Sequence, residues 1–355
     1  ASFVDPHTVA VGGKEYTRAL FAYLHLLSAL IPPIPGIDKV DFLTNETLFA
    51  LSEIPESMVI IGGGAIGSEM AQAFSRLGCK VTVVHMDPHL IPQADPEAGQ
   101  LLEQVFFDEG ISVYNGRKIT GVEKEDDQIV VHTDRGEKLL AEKLLVAAGR
   151  RYDFSSLKLE NAGVAYDKRG IKVDKSLLTS QRNIYAPGDC NGAHLFSHAA
   201  MHQGMIALMN AMIPWPFRMN FRRYLVPWTI FTEPQVSHVG AIEKDLKERG
   251  IAYEVVEEQY TNYGAAIAEG IAIGSVRAYV SKTGRIYGVT IVGEGSGEMI
   301  GEWGLAIQNK LRMHKIMFLQ HSFPTMSFLT KRVSETWMMN RMQSPFLQAM
   351  VRRMF

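Results

Sequence analysis

Short apolar runs alternate with stretches of helical period along the first half of the chain. Residues 58–61 (Met-Val-Ile-Ile) form an unbroken apolar run that predicts a buried strand. The Ala/Met/Phe-rich stretch after Gly67 predicts a helix, and residues 80–85 a second strand. Within 95–110, Leu101, Leu102, Val105 and Phe106 recur at helical spacing and predict a core helix. Further strands are expected at 129–133 and 138–146. Strand, helix and strand in succession are the pattern of a parallel sheet covered by helices.

The flanks read differently. Residues 1–16 alternate like a hairpin turned at Gly12-Gly13, and a lone hairpin needs a sheet to join. Residues 19–35 are apolar, carry His25 and end in a proline cluster. The run is too short for a membrane span and lacks the basic lead of a signal peptide, so a buried strand or helix before an irregular connection is expected. Residues 179–189 form a short strand ending in Gly188-Asp189, with a small-residue helix from about Phe196.

From 221 onward strands are expected at 229–231, 237–239, 253–260, 274–281 and 286–292, and helices at 242–249 and 298–309. That is an antiparallel sheet with helices packed on one side. Val333, Trp337, Met338, Met342, Phe346, Met350 and Met354 then recur at helical spacing among Lys331, Arg332, Arg341, Arg352 and Arg353. A basic amphipathic helix over 329–355 can lie on a membrane surface, but packing on its own subunit or a partner is the expectation.

Composition narrows the classes. At 355 residues the chain can fill more than one core, and a net charge of −2 gives no electrostatic footprint for nucleic acid. Two cysteines far apart exclude a disulfide framework and fit a reducing, cytoplasmic setting. The expected division is 1–48, 49–150, 151–220, 221–328 and a helical extension, 329–355.

The chemistry gathers at the glycines. Gly62 permits a tight strand-to-helix turn, Gly64 lets backbone approach a pyrophosphate, and Gly67 lets helix and strand pack closely. The free amides at the helix start, at Ala65, Ile66 and Gly67, and the helix dipole favour an anion. Where a nucleotide fold often carries an acid for the ribose, this chain has His85, with Asp87 two residues on and no arginine. That favours NAD over NADP, although Arg117 or Lys118 can approach a phosphate from another loop. The small residues Ala147, Ala148 and Gly149 suit a close crossing at a domain border.

Asp189 at a strand end can accept from a sugar hydroxyl, or simply cap a turn. His194, His198 and His202 lie four apart, one helix face, yet no acidic or cysteine ligand accompanies them, so no metal is expected. The histidines are read as solvent-facing or cofactor-adjacent, with His198 and Ala199, at the start of that helix, taken as cofactor neighbours.

Together these stretches resemble the flavin-dependent pyridine nucleotide–disulfide oxidoreductases over nearly the whole chain. Gly62-x-Gly64-x-x-Gly67-x-Glu69 is similar to the family's NAD(P) loop, Leu145 to Arg150 to its return crossing, and Thr179 to Asp189 to its second FAD motif. Residues 226–240, 284–293 and 297–300 resemble its interface domain. The resemblance implies FAD and NAD, with NADP possible, and a Rossmann-like NAD(P)-binding domain inserted in a partial FAD-binding domain. An α+β dimerisation domain follows, so a homodimer acting on a small molecule or small redox carrier is implied. Asp189 would hold the flavin's ribityl chain. Glu69 would pair with a lysine beside the flavin, and Ala65 would leave the nicotinamide pocket open.

The departures are equally specific. The family's first glycine loop and its Cys-x4-Cys pair have no counterpart, and Cys79 and Cys190 are expected to be small buried residues. At the family's C-terminal His-Pro-Thr-x-x-Glu, phenylalanine stands at both acid–base positions, Phe323 and Phe328. Phenylalanine carries no proton, which argues against ordinary disulfide exchange. His321, two residues away, would face the opposite side of an extended segment. The leading expectation is therefore an FAD- and NAD(P)H-dependent oxidoreductase without that acid–base pair. The alternatives are a non-catalytic dimeric nucleotide-binding module and a membrane-associated quinone or electron-carrier reductase.

Overall fold

The chain is seen here as a computed structural model that describes residues 1–18, 21–22, 28–343 and 348. They form two compact units, Ala1–Leu30 with Gly149–Val226, and Ile31–Ala148 with Pro227–Phe355.

The second unit carries a five-stranded parallel sheet in the order Phe42–Leu43, Lys143–Val146, Ser57–Ile61, Lys80–Val84, Ser112–Tyr114. Helix α1 (Ala65–Arg76) connects Ser57–Ile61 to Lys80–Val84, and helix α2 (Pro96–Asp108) follows. Met58, Ile60, Val81, Val83 and Leu145 are buried on one face with Ala71 of α1 and Leu102 and Phe106 of α2. The other face is buried with Val122, Ile129 and Val131 of a three-stranded antiparallel sheet, Ile119–Glu125, Gln128–Thr133, Lys138–Ala141. A sheet covered on both faces needs continuous apolar strands, which is why these read as unbroken runs.

The single strand expected over 138–146 is in fact two. Lys138–Ala141 ends the antiparallel sheet and, after Glu142, Lys143–Val146 joins the parallel one. The Glu142 amide donates to Ser57 Oγ (3.0 Å), while its carboxylate accepts from the Glu56 amide (2.9 Å), and these bonds set the change of sheet. Hydropathy alone carries no trace of that switch.

The unit's second layer is an antiparallel sheet in the order Trp228–Ile230, Val236–Gly240, Ile286–Val292, Ser275–Val280, Glu254–Gln259. Helices Ser296–Gln308 and Phe328–Met342 bury Met299, Trp303, Leu329, Val333 and Trp337 in its core. The apolar stripe of the final helix, as far as it is described, thus packs on its own subunit. Its basic residues are also engaged: Lys331 Nζ donates to the Met317 carbonyl (2.7 Å), Arg332 to that of Asn262 (3.2 Å), and Arg341 pairs with Glu254. Phe346, Met350, Arg352, Arg353 and Met354 lie outside the described residues. No helix among the described residues is long and apolar enough to cross a membrane.

Two layers of this unit meet through buried polar groups. Asp95, the residue before α2, is 2% exposed and accepts from Thr290 Oγ1 at 2.6 Å and from the Glu243 amide at 3.2 Å. His238 Nδ1 lies 2.9 Å from the same Thr290 hydroxyl. Burial holds the His238 imidazole below its ordinary value, against the opposite pull of the Gly240 carbonyl and the Asp95 charge. In the unfolded chain this histidine takes up a proton near 6.5, while the folded one stays neutral. The unfolded state then binds more protons, so His238's contribution is complete above 6.5 and is lost as pH falls from there towards the lower folded value. The slope from this one group is at most about 1.4 kcal/mol per pH unit. Urea melts at pH 7.5 and 5.5 should show less of this loss for His238→Gln than for the wild type; equal losses would exclude His238 as the source.

The first unit begins with a three-stranded meander, Ser2–Asp5, Thr8–Val11, Lys14–Thr17. Its second turn is Gly12-Gly13, both at positive φ, as a two-residue hairpin requires. Phe3 is buried with Phe154, Leu159, Ile184 and Ala186. The strand Ile184–Tyr185 pairs in parallel with Phe21–Ala22 and leads to helix α3 (Ser197–Met212). Of the apolar run expected as a buried element, residues 19–20 and 23–27 lie outside the described residues, and Ser28–Ala29 pairs with Arg150–Arg151.

Candidate functional site

In the second unit, the turn after Ser57–Ile61 is built so that backbone lies where side chains usually stand. A Cβ on Gly67 would sit 1.9 Å from the Gly62 carbonyl oxygen, and one on Gly62, at φ +119°, 2.4 Å from that of Ala147. A Cβ on Gly64 would meet nothing within 4 Å. Gly64 is the N-cap of α1 and no side chain caps the helix. The amides of Ala65, Ile66 and Gly67 precede the first intrahelical bond, from the Ser68 amide to the Gly64 carbonyl at 2.9 Å. The loop is pinned from behind, where the Gly63 carbonyl accepts from the Ile91 amide at 2.7 Å. Open space over Gly64 beside uncapped amides is a cradle that fits a pyrophosphate.

His85 is only 5% exposed, with its ring against Gly63. Nε2 lies 2.6 Å from Asn115 Oδ1, so it donates there, and Nδ1 is buried without a partner. Asp87 stands exposed on the following turn, and its carbonyl accepts from Gly116. Arg117 is already committed: Nε donates to Glu137 at 2.7 Å and a terminal nitrogen to the Asn115 carbonyl at 2.8 Å. The Thr133 hydroxyl and Arg117 pull the Glu137 carboxyl down to about 2, so the guanidinium faces a firmly ionised partner. Asn115, which touches both His85 and Arg117, carried no sequence signal.

Glu69, Gln72 and Arg76 lie on one face of α1 and grip the same strand end. Glu69 Oε1 accepts from the Phe231 amide at 2.9 Å, Gln72 exchanges two bonds of 2.7 Å with the Glu233 backbone, and Arg76 pairs with Glu233 and Glu109. The i, i+3, i+7 spacing is visible in the sequence, but its target is not.

In the first unit, Gly188 at φ +84° turns the chain so that Asp189 opens a short 3₁₀ turn. Gln203 Oε1 accepts from the Gly188 amide (2.8 Å) and from Asn191 Nδ2 (2.6 Å), which leaves its Nε2 buried without a partner. Asp189 Oδ2 accepts from Arg150 at 3.1 Å. Burial raises the Asp189 carboxyl above its usual range, and Arg150 offsets part of that. An orphaned amide next to a part-buried carboxylate is a donor–acceptor pair that fits the hydroxyls of a sugar alcohol. Gly149 opens this unit's second segment at φ +117°, with its carbonyl accepting from Leu30.

His198 is exposed and stacks on Phe196, with Ala199 buried beside it. His194 precedes α3, so the three histidines expected on one helix face do not share it: helix begins only at Ser197. His202 instead meets Tyr224 edge-on at 4.8 Å. Among the described residues no three His, Cys, Asp or Glu side chains converge as a metal site. Both cysteines are buried, Cys190 Sγ lies 3.2 Å from the Pro187 carbonyl, and burial pushes the Cys79 thiol up to about 11.

Residues 27–204 match the model of the pyridine nucleotide-disulphide oxidoreductases, and residues 226–332 that of their dimerisation domain. The chain belongs to this family. A dihydrolipoyl dehydrogenase of Vibrio cholerae is 34% identical over 335 residues, covering 91% of this chain and 70% of that enzyme. A mercuric reductase of Bacillus cereus is 32% identical over 313 residues, 87% of this chain but only 49% of its own length. Among solved structures, the HOCl-induced flavoprotein disulfide reductase RclA of Escherichia coli superposes with a TM-score of 0.86 at 26% identity, covering 95% of this chain and 77% of that one. Members of this pyridine nucleotide-disulphide oxidoreductase family bind FAD and a nicotinamide dinucleotide, and the parallel-sheet and antiparallel layers are their fold.

Proposed function

We propose that this chain works as a homodimeric oxidoreductase that takes hydride from NAD(P)H, with NADH preferred, and passes the electrons through FAD to a small acceptor. The observation that carries the reading is the uncapped glycine corner with open space over Gly64. Bound, the nicotinamide supplies a hydride and the flavin accepts it.

In this reading the chain's own residues bind and orient. The Ala65, Ile66 and Gly67 amides donate to the pyrophosphate, and Asp87 accepts from ribose hydroxyls beside the buried His85. Arg117, held by Glu137, has little left to offer a 2′-phosphate, which supports NAD. Asp189 and Gln203 receive the flavin's sugar-alcohol arm, with His198 and Ala199 beside it. Glu69 positions α1, and Ala65 leaves the nicotinamide side open. Phe323 and Phe328 supply no proton at the positions where the family's acid–base pair is expected. The two buried cysteines are not joined in a disulfide, which supports a reducing compartment, the cytoplasm.

Adding FAD and NADH to the purified chain, with ferricyanide as an electron acceptor, should give NADH oxidation; its absence would refute the reading. Asp189→Ala should weaken FAD binding roughly ten- to a hundredfold, as loss of one charged hydrogen-bond acceptor costs about 1.5–3 kcal/mol. Quenching of flavin fluorescence measures this, and unaltered affinity would remove Asp189 from the site.

A further inference from the structure

The chain ends of the strands Lys80–Val84 and Ser112–Tyr114 are closed over each other by backbone. The His85 amide donates to the Tyr114 carbonyl (3.2 Å), the Arg117 amide to the His85 carbonyl (2.9 Å) and the Gly116 amide to the Asp87 carbonyl (2.9 Å). Arg117 is therefore fixed next to the turn where a nucleotide fold carries an acid for NAD or an arginine for NADP. Its side chain is 20% exposed, and Asp87 and Lys118 on either side are exposed, so a ligand on that turn can reach it.

An anion of the chain's own already holds the guanidinium. Nε donates to Glu137 Oε1 at 2.7 Å, and the other oxygen of that carboxylate accepts from the Thr133 hydroxyl. A guanidinium fork fits carboxylate and phosphate by the same planar geometry, so one anion displaces the other. The hairpin turn that carries Glu137 does not depend on this bond. It closes through the Thr133 amide to the Glu137 carbonyl (3.1 Å) and the Gly136 amide to the Thr133 carbonyl (3.2 Å), with Gly136 at φ +85°. The Glu137 amide adds a bond to Thr133 Oγ1 at 3.3 Å. A part-exposed ion pair contributes little to folding, so the effect of this one is to be sought at the nucleotide turn.

We propose that Glu137 is a specificity-determining residue that stands in for a 2′-phosphate, occupying Arg117 and so directing the site to NADH over NADPH. The inference rests on the dinucleotide reading above and names the device behind its coenzyme preference. A 2′-phosphate has to take the guanidinium from Glu137 and then lies near two carboxylates, Glu137 and Asp87. NADH brings a neutral 2′-hydroxyl, which can donate to Asp87, and leaves the ion pair intact. Discrimination is a difference of two affinities, and here NADPH is set back by a bond to be broken and by like charge. The arginine expected of an NADP site is thus present, but silenced by a residue 20 positions on.

Calorimetric titration of the whole chain with NADH and with NADPH tests this without turnover, since the two differ only at the 2′ position. The wild type should bind NADH more tightly, by about tenfold or more. Glu137→Ala should tighten NADPH binding about tenfold or more, the scale of one charge-assisted hydrogen bond, and move NADH binding by less than about threefold. Glu137→Gln keeps the size of the side chain and an uncharged acceptor, so it should shift the ratio the same way by less. It decides the question if the alanine variant does not fold. Arg117→Leu added to Glu137→Ala should abolish the gain, and salt should weaken the gained NADPH binding more than NADH binding. A wild type indifferent to the 2′-phosphate, an unmoved ratio in a folded Glu137 variant, or a gain that survives the loss of Arg117 overturns the proposal while NADH binding keeps the dinucleotide reading. Failure of the wild type to bind either coenzyme overturns that reading, and this inference with it.

Discussion

Gly64→Ala is expected to leave the chain folded and to weaken NADH binding at least tenfold, about 1.4 kcal/mol or more. The two effects separate because of what surrounds this position. At φ −79° and ψ −167°, Gly64 has an extended conformation that alanine adopts freely, and its added methyl group would meet nothing in the protein. Replacing glycine at such a site lowers the entropy of the unfolded chain, so the melting point should hold or rise slightly. The methyl group would fill only the open space over the uncapped amides, where the proposed pyrophosphate would lie. Gly67→Ala is the contrasting control, because its Cβ would stand 1.9 Å from the Gly62 carbonyl oxygen and force helix from strand. It should lose stability and binding together. Calorimetric titration with NADH beside a thermal melt distinguishes the pair. Wild-type affinity in Gly64→Ala would mean that no pyrophosphate crosses this corner.

Asp95→Ala should be the most damaging single truncation in the second unit. Asp95 is the buried acceptor for the Thr290 hydroxyl, itself buried, and for the Glu243 amide at the half-buried start of its helix. One buried donor and one part-buried donor left without Asp95, at about 1–3 kcal/mol for the buried one and less for the other, suggest a loss of about 3 kcal/mol. In a domain of this size that lowers the melting point by roughly 6–10 °C. Asp95→Asn, which keeps an acceptor, should lose less. A melting point within a degree of wild type for the alanine variant would show that the network contributes little.

The glycine corner was legible in the sequence because each glycine answers a local backbone demand, and the demand shows in a handful of adjacent residues. The apolar strands were legible for the same reason: a sheet buried on both faces leaves no polar alternation to misread. What the sequence hid is set by distant partners. Asp95 meets Thr290, 195 positions away, and Gln203 reaches back to Gly188 from the next helix. His321 finds Glu302 only because the chain between them turns back. The division of 138–146 between two sheets depends on Ser57 and Glu56, far upstream. Periodicity sees neither those bonds nor the early end of the His194 face, where the helix simply starts three residues later.

The grip of Glu69, Gln72 and Arg76 on Phe231–Glu233 has a thermodynamic corollary. A dinucleotide seated at the mouth of α1 favours the folded state by its own binding free energy, and everything that melts together with α1 inherits that gain. Amide protons in the strand Val236–Gly240, which is no part of the glycine corner, should therefore exchange more slowly once NADH is added. Severing the grip with Gln72→Ala should cut that remote protection, making the helix a tether through which occupancy is felt by the subunit-pairing layer.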